Sequence, residues 1–475
     1  MSQHYEIEQS GVYNGRELTY TFTLDVLPVR NAKGAHAGSA SLFSYVADVP
    51  EEERARRPVV FLFNGGPGAA SAYLHLSGIG PKRVAVPTDL ADSINPPYVV
   101  EDSPNSILDV ADLVFMDPVN TGFGRLLPDA AADDLYSVQG DARYFADLVC
   151  AWVTRQNRWD SPKYVLGESY GTHRAPFMVT ALAGIKAVPF DGIILLGQAL
   201  NVQETVERPG NVAGAVAGLP FKAATAWYHG VGAHDHAGVD AVVEAALEFA
   251  YGDFAAAMTR GSRLDEDERV KIAARLEYFT GVPAETYLRK RLWLSKGDFL
   301  KELLADSGRV LGRNDARYVS RAADTSAGEA DIEPSFAHLA PAFNAGILRY
   351  LHGTLAVPTE EEYRVFDESA VARWDWSDAG SARFMQMGKP SPFHVYPYPA
   401  RLTQYLKQVP RARLFIGTGH YDSLTTVGAV EHLLRQYDLP LERVTDRRYP
   451  AGHMMYTDPE SLRMLDDDLR AFVSA

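Results

Sequence analysis

A serine between glycines lies at residues 167–171, which read Gly-Glu-Ser-Tyr-Gly. A Gly-x-Ser-x-Gly segment forms a tight turn between a strand and a helix, because small residues on both sides of the serine avoid a steric clash. An apolar run at 164–166 precedes the motif and a helical pattern at 175–182 follows it. The hydroxyl of Ser169 would therefore project near a helix N-terminus, where developing negative charge is favoured. The pattern predicts a nucleophilic serine, with an ordinary turn as the alternative.

A base and a carboxylate follow in the C-terminal part of the chain. A serine hydroxyl is a poor nucleophile until a base removes its proton. Asp422 follows a predicted strand at 413–416, and His453 follows another at 443–449. The order serine, aspartate, histidine is the one expected for a catalytic triad on a parallel sheet. We therefore predict Ser169, Asp422 and His453 as the triad, and the alternative for Asp422 is a cap on the helix that follows it.

A glycine-rich loop at residues 64–71 reads Asn-Gly-Gly-Pro-Gly-Ala-Ala-Ser and follows the apolar run 59–63. Acyl transfer needs donors aimed at the carbonyl oxygen as it becomes negative. Glycines allow backbone N–H groups to approach such an oxygen closely. We expect this loop beside the serine turn at one edge of the sheet, and a tight turn without that function is the alternative.

The elements that must position these residues follow from hydrophobic patterning. Residues 16–26 alternate between apolar and polar side chains, which predicts a half-buried strand, and a second strand near 40–47 completes an antiparallel hairpin. Short apolar runs, typical of strands buried on both faces, alternate with helical periodicity, including a helix at about 134–157. The apolar runs lie at 59–63, 113–116, 164–166, 193–196 and 413–416. The pattern predicts an α/β protein with a doubly wound, mainly parallel sheet.

The middle of the chain has a different pattern. Helical segments are predicted at 239–259, 264–279 and 296–305, and residues 324–334 have the composition of a linker. We therefore expect residues 1–204 and 398–475 to form the two parts of one core, and 205–397 to form a mainly helical insertion. Insertions of this kind usually cap an active site.

Composition restricts the partners and the compartment. The 475 residues carry a net charge of −15, which disfavours binding to nucleic acid. The single cysteine, Cys150, excludes an intrachain disulfide and is expected to be a buried, small apolar residue. The N-terminus lacks the features of a signal peptide, and no apolar run approaches the ~20 residues that span a bilayer. We expect a cytoplasmic protein without a membrane partner, and the sequence does not indicate an oligomeric state.

These motifs, in this order, resemble the serine carboxypeptidase family, peptidase family S10. The Asn-Gly-Gly-Pro-Gly loop, the Gly-Glu-Ser-Tyr-Gly turn, the Gly-His-Met segment at 452–454 and residues 113–123 carry the resemblance. It implies an α/β-hydrolase fold and release of C-terminal amino acids from peptides, without a metal or an organic cofactor. It further implies an oxyanion hole of the backbone N–H groups of Gly66 and Tyr170. The substrate's free C-terminal carboxylate would be held by Asn64, Gly65 and Glu168.

Several positions depart from the family pattern. Ala69 and Ala70 stand where the family usually has a Cys-Ser pair, Gly78 replaces a glutamate and Asn120 replaces a glycine. Glu168 can donate to a substrate carboxylate only when it is protonated, and burial should raise its pKa. We therefore expect peptide binding to be strongest at acidic pH, although the loss of the glutamate at 78 changes the acidic network.

Two other classes of function are compatible with these motifs. A serine esterase, an acyltransferase or another peptidase would use the same triad, but only an exopeptidase needs a site for a free carboxylate. A non-catalytic binding protein that keeps the fold is the second alternative. Separately, the group His229, His234, Asp235 and His236 contains suitable metal ligands but matches no strong motif, so we expect a solvated loop.

Overall fold

The computed structural model describes residues 3–90, 94–128, 134–321, 333–377 and 398–475. Within these ranges nine strands form one sheet, in the order β1-β2-β3-β7-β4-β8-β9-β12-β13. These strands are β1 (Gln3–Tyr13), β2 (Arg16–Arg30), β3 (His36–Ala47), β4 (Val59–Phe63), β7 (Asp112–Asp117), β8 (Lys163–Glu168), β9 (Gly192–Leu196), β12 (Arg413–Gly419) and β13 (Val444–Tyr449). Two short hairpins stand apart, formed by β5 (Lys82–Val84) with β6 (Val100–Asp102) and by β10 (Arg309–Leu311) with β11 (Val319–Arg321).

The direction of the strands divides the sheet into two parts. The strands from β1 to β7 in this order pair antiparallel, whereas β7, β4, β8, β9, β12 and β13 pair parallel. Every residue of β4 and β9 is buried, as expected for strands covered by helices on both faces. The predicted mainly parallel, doubly wound sheet with an N-terminal antiparallel hairpin is therefore confirmed.

The first strand was not predicted. β1 pairs along its whole length with β2, so the expected hairpin is the inner part of a three-stranded antiparallel unit. Most side chains of β1 are exposed or half-buried, because the strand lies at the edge of the sheet. Its polar composition therefore lacks the apolar alternation that identified β2.

Helices cover both faces of the sheet and fill the middle of the chain. They are α1 (Glu51–Arg54), α2 (Ala72–His75), α3 (Val138–Arg155), α4 (Gly171–Ala181), α5 (Val202–Thr205), α6 (Val212–Tyr228), α7 (Val239–Phe249), α8 (Ala255–Arg260), α9 (Glu266–Thr280), α10 (Ala284–Arg289), α11 (Lys296–Glu302), α12 (Pro334–Leu348), α13 (Glu368–Arg373), α14 (Tyr398–Gln408), α15 (Val427–Gln436) and α16 (Pro459–Ser474). Alternate residues of each buried strand point to opposite faces, so the sheet has an apolar layer on each side. One layer contains side chains from α2, α12 and α16, and the other contains side chains from α3, α4, α14 and α15.

The helices from α6 to α11 pack around a third apolar core, which also includes Tyr421 and Val427. The single helix predicted at 239–259 is interrupted, because Gly252 has non-helical backbone angles between α7 and α8. Glycine tolerates such angles at little steric cost. Of the predicted linker 324–334, residues 324–332 lie outside the described ranges. Pro334 is instead the first residue of α12, as is common for proline at a helix start.

Helix α12 packs against the sheet and not against the core of α6 to α11. Its residues Leu339, Phe343 and Ile347 belong to the same apolar layer as the strand residues Leu62 and Phe115. The boundaries at residues 204 and 397 stay a prediction. The packing indicates that the stretch between them contributes both a helical unit and part of the covering of the sheet.

Two further expectations concern Cys150 and the membrane. Cys150 is half-buried against the layer that contains α3, and burial raises the pKa of its thiol. None of the helices within the described ranges is long and apolar enough to cross a bilayer.

Candidate active site

The turn after β8 places Ser169 in a constrained backbone conformation. Its φ of 55° lies in the left-handed region, which non-glycine residues seldom adopt. The Ser169 N–H donates to the carbonyl of Leu196 at 3.0 Å, and α4 begins two residues later. A Cβ at Gly167 would lie only 2.3 Å from the carbonyl oxygen of Gly171. The flanking glycines are therefore required by the close return of the chain, as the motif indicates.

Asp422 and His453 meet at the carboxyl ends of β12 and β13. The His453 Nδ1 atom is 2.7 Å from Asp422 Oδ2, and both side chains are buried. The other oxygen of Asp422 accepts the backbone N–H of Leu424 at 2.7 Å and that of Thr425 at 3.1 Å. The Thr425 hydroxyl also donates to Asp422 Oδ2 and lies 3.2 Å from His453 Nδ1. The carboxylate is thus fully hydrogen-bonded and fixes the orientation of the imidazole.

Electrostatics favour the charged forms of both partners. Burial raises the pKa of Asp422, but the charge and hydrogen bond of His453 outweigh burial and hold this pKa below its usual value. Burial lowers the pKa of His453, but the charge and hydrogen bond of Asp422, and then the charge of Glu168, raise it to about 9. Any change that neutralises Glu168 therefore makes His453 easier to deprotonate.

Ser169 and His453 both lie beside the residues that end β9. The Ser169 N–H bonds to Leu196, and a Cβ on the adjacent Gly197 would lie 3.0 Å from His453 Cε1. In the part of the chain that the structure describes, no hydrogen bond joins the Ser169 hydroxyl to the imidazole. In enzymes without substrate such catalytic hydrogen bonds are often long and tighten in the Michaelis complex.

The glycine-rich loop after β4 packs directly on the serine turn. A Cβ at Gly65 would lie 2.6 Å from the backbone nitrogen of Tyr170 and 2.8 Å from Ser169 Cβ. Gly66 and Gly68 have φ values of 103° and 84°, which favour glycine. The structure therefore brings the loop that contains Gly66 next to Ser169 and the backbone nitrogen of Tyr170.

A buried ion pair joins this loop to the serine turn. The Arg174 side chain donates to Asp141 Oδ2 at 2.7 Å and to the Asn64 carbonyl at 3.1 Å. The Tyr170 hydroxyl donates to the same carboxylate oxygen at 2.9 Å. Because Arg174 and Asp141 are fully buried, removing either partner would leave an uncompensated charge.

Asn64 and Glu168 are in direct contact. Asn64 Nδ2 donates to Glu168 Oε2 at 2.9 Å, while Asn64 Oδ1 accepts the N–H of Leu74 at 2.9 Å. The second bond fixes the orientation of the amide, so its NH₂ group faces the carboxyl. Burial raises the pKa of Glu168 to about 7, although the charge of His453 and the hydrogen bonds from Tyr456 and Asn64 oppose the increase. Glu168 can therefore be protonated near neutral pH, as predicted from its expected burial.

Tyr456 was not predicted from the sequence. Its hydroxyl donates to Glu168 Oε2 at 2.7 Å, and its side chain is buried. The residue lies in a 3₁₀ helix, Met455–Thr457, directly after the loop of His453. By contrast, Gly78 has a φ of 104° and contributes no side chain to this group. The only sequence signal for Tyr456 was its position three residues after the predicted base.

The segment 313–317, between β10 and β11, was also missed. It holds the loops of both His453 and Asp422: the carbonyl of Asn314 accepts the His453 N–H at 2.7 Å, and that of Arg313 accepts the Ser423 hydroxyl at 2.7 Å. The Arg317 guanidinium pairs with Asp315 and Asp458 and donates to the carbonyl of Pro450 at 2.7 Å. Part of the support for the triad therefore comes from residues between the two halves of the sheet.

Other histidines have structural contacts. His420 is buried, and its Nε2 lies 2.9 Å from Asp240 Oδ1. It therefore pairs with a different carboxylate from the one that His453 contacts. In the group considered for metal binding, His229 contacts the carbonyl of Ala316 at 2.8 Å and Asp235 contacts the Tyr278 hydroxyl. The described residues contain no group of three or more His, Cys, Asp or Glu side chains that could hold a metal ion.

Comparisons with known proteins show similarity in the first part of the chain. Residues 33–198 match the model of the serine carboxypeptidase family. A 147-residue stretch is 31% identical to serine carboxypeptidase-like 26 of Arabidopsis thaliana, covering 30% of this chain and 29% of the relative. The chain thus aligns with less than a third of the length of that curated relative.

A solved structure extends the likeness over most of the chain. The crystal structure of a prohormone-processing carboxypeptidase from Saccharomyces cerevisiae superposes with a TM-score of 0.56 at 13% sequence identity. The superposition covers 94% of this chain and 91% of the yeast one. At this identity the likeness concerns the fold, which is that of the α/β-hydrolases.

Proposed function

We propose that the chain belongs to the serine carboxypeptidase family, whose model matches residues 33–198, and that it is a serine-type carboxypeptidase that releases C-terminal amino acids from peptides. Ser169 is the proposed nucleophile, His453 the base and Asp422 the residue that orients it. The observation that carries the proposal is the contact of Asn64 with Glu168 beside the serine turn. Only an enzyme that acts at a free C-terminus needs such a site next to its nucleophile.

The proposed reaction begins when His453 accepts the proton of the Ser169 hydroxyl. The serine oxygen bonds to the carbon of the last peptide carbonyl, and the oxygen that becomes negative accepts the N–H groups of Gly66 and Tyr170. His453 then gives the proton to the departing amine as the C–N bond breaks. Water, deprotonated by His453, hydrolyses the resulting ester and restores the serine.

Recognition of the free carboxylate is assigned to Asn64, Gly65 and Glu168. The Asn64 amide and the Gly65 N–H are donors at any pH, whereas Glu168 donates only in its neutral form. The raised pKa of Glu168, about 7, supports this role.

A pair of peptides tests the proposal. One peptide has a free C-terminus and the other is the same sequence with a C-terminal amide. We expect kcat/KM to be about tenfold to a hundredfold higher for the free acid, the value of one or more hydrogen bonds to a charged group. Ser169→Ala should abolish turnover of both. Equal cleavage of the two peptides would reject a carboxypeptidase in favour of another peptidase.

The two alternatives are separated by further assays. A serine esterase or acyltransferase would turn over neutral esters without any advantage from a free carboxylate. A binding protein would not react with a fluorophosphonate probe, whereas we expect labelling that disappears in Ser169→Ala. Ser307, an exposed serine, gives a control: Ser307→Ala should still be labelled.

The proposed partner is a peptide with a free C-terminus, and nucleic acid and membranes are not proposed as partners. We also propose a cytoplasmic location, supported by the single cysteine of the chain. Cell fractionation with an antibody to the chain tests the location. Recovery in the medium or in a vesicle fraction would reject it.

A further inference from the structure

We propose that Tyr456 is a positioning residue of the carboxylate site, whose hydroxyl determines which oxygen of Glu168 carries the proton. The proton is thereby directed to the substrate's C-terminal carboxylate. This inference rests on the proposed carboxypeptidase function and adds a residue to it.

The geometry places two donors on one carboxyl oxygen. The Tyr456 hydroxyl lies 2.7 Å and Asn64 Nδ2 lies 2.9 Å from Glu168 Oε2. Glu168 and Asn64 are each 4% exposed and Tyr456 is 3% exposed, so water does not compete freely for these bonds. Within the described residues, no hydrogen bond involves the other oxygen, Oε1. The two oxygens of this carboxyl therefore have different surroundings.

This asymmetry decides where a proton can reside. A proton on Oε2 would disturb both bonds, because the Asn64 NH₂ group has no lone pair to accept it and the Tyr456 hydroxyl would have to turn from donor to acceptor. The amide cannot exchange its ends, because its oxygen is occupied by the N–H of Leu74. Oε2 therefore remains the acceptor and Oε1 carries the proton. A neutral Glu168 then presents its O–H on the side away from Tyr456.

Tyr456 remains a donor over the working pH range. Burial, followed by the charge of Glu168, raises the pKa of the Tyr456 phenol well above its usual value. A phenol of this kind does not ionise as Glu168 titrates, so its O–H stays available to donate to Glu168 Oε2. This distinguishes Tyr456 from a second carboxyl group, which would share its proton with Glu168.

Three other ionisable groups face Glu168. The positive charge of His453 lowers its pKa and the negative charge of Asp422 raises it. Tyr73, from α2, also faces Glu168, and burial with the charge of Glu168 raises the pKa of this phenol above its usual value. None of these residues donates to Oε1, so removing the Tyr456 hydroxyl changes the site through Oε2 alone. Its loss should raise the pKa of Glu168, because the bond from Tyr456 lowers it.

The test is Tyr456→Phe, which removes one oxygen atom from a buried ring. For a peptide with a free C-terminus we expect KM at acidic pH to rise about two- to tenfold, the effect of one hydrogen bond, with kcat unchanged. The alkaline limb of kcat/KM should move to higher pH. Turnover of the matching amidated peptide or of a neutral ester should stay the same, because neither uses the Glu168 proton.

Two further variants complete the experiment. Tyr449→Phe is a matched control, since Tyr449 is a buried tyrosine whose hydroxyl donates to another carboxylate, Asp468, at 2.9 Å. It should leave KM and the alkaline limb unchanged. In a Glu168→Gln background Tyr456→Phe should no longer move the pH profile, because the tyrosine acts through the ionisable carboxyl.

The outcomes separate the two proposals. If the wild-type enzyme does not distinguish free from amidated peptides, the carboxypeptidase proposal fails before any variant is made. If it does distinguish them, but Tyr456→Phe leaves KM and the alkaline limb unchanged, the role of Tyr456 is refuted alone. That role is likewise refuted if this variant impairs free, amidated and ester substrates equally, because such a result indicates general structural damage.

Discussion

Replacing Glu168 by glutamine removes the ionisable group of the proposed carboxylate site while keeping its shape. The new side chain still accepts hydrogen bonds through its amide oxygen, so the contacts of Tyr456 and Asn64, at 2.7 and 2.9 Å, can persist. In the wild-type protein burial raises the pKa of Glu168 to about 7. Affinity for a free carboxylate should therefore fall about tenfold for each pH unit above this value, as the donor form is lost. Glutamine donates at all pH values, so the variant should show no such fall.

The same substitution also acts on the base. The negative charge of Glu168 helps to raise the pKa of His453, so its removal lowers that pKa. His453 acts as a base only when it is neutral, and a lower pKa makes it neutral at lower pH. In the free enzyme the acid limb of kcat/KM should therefore move to lower pH in Glu168→Gln, while the alkaline fall of kcat/KM disappears.

The assay is the steady-state hydrolysis of one peptide with a free C-terminus, followed from about pH 5 to about pH 9, the range in which both groups titrate. The profile of kcat/KM reports the free enzyme, and that of kcat reports the substrate complex. Glu266→Gln on the exposed face of α9 is the control and should retain the wild-type profile. An alkaline limb that persists in Glu168→Gln would refute the assignment of that limb to this carboxyl.

Three other changes test the support of the triad. Asp422→Asn should lower kcat about 10⁴-fold by removing the charge that orients the base, whereas Asp240→Asn, outside the triad, should leave kcat near wild type. Thr425→Val should lower kcat about two- to tenfold because one hydrogen bond to Asp422 is lost, and an unchanged kcat would contradict that contribution. Arg317→Leu leaves Asp315 without its buried partner and should reduce the free energy of unfolding in urea by about 3–5 kcal/mol. A loss of less than about 1 kcal/mol, the value of an exposed ion pair, would contradict the buried pairing.

The sequence predicted best those elements whose side chains are apolar because they are buried. Strands such as β4 and β9 are apolar throughout because helices cover both of their faces. The edge strand β1 has no such signal, since most of its side chains face solvent. The break of the predicted helix at Gly252 follows from local backbone geometry, which periodicity alone does not encode.

The residues of the predicted site likewise divide into those that have a sequence signal and those that lack one. Ser169, Asp422 and His453 could be proposed together because each follows a recognisable strand and the turn at 167–171 has strict steric requirements. Tyr456 and Arg317 could not, because neither stands in a motif. Their contacts join residues far apart in sequence, with Tyr456 lying 288 positions after its partner. Only the folded chain reveals which tyrosine or arginine reaches the site.

The short segment 313–317 restricts how this protein can be rebuilt. Its backbone carbonyls accept hydrogen bonds from the N–H of His453 and the hydroxyl of Ser423. The segment nevertheless precedes β12 by about a hundred positions along the chain. A chimera that exchanged the whole of 205–397 would thus deprive the loop of His453 of this contact. A replacement within that stretch should keep residues 313–317.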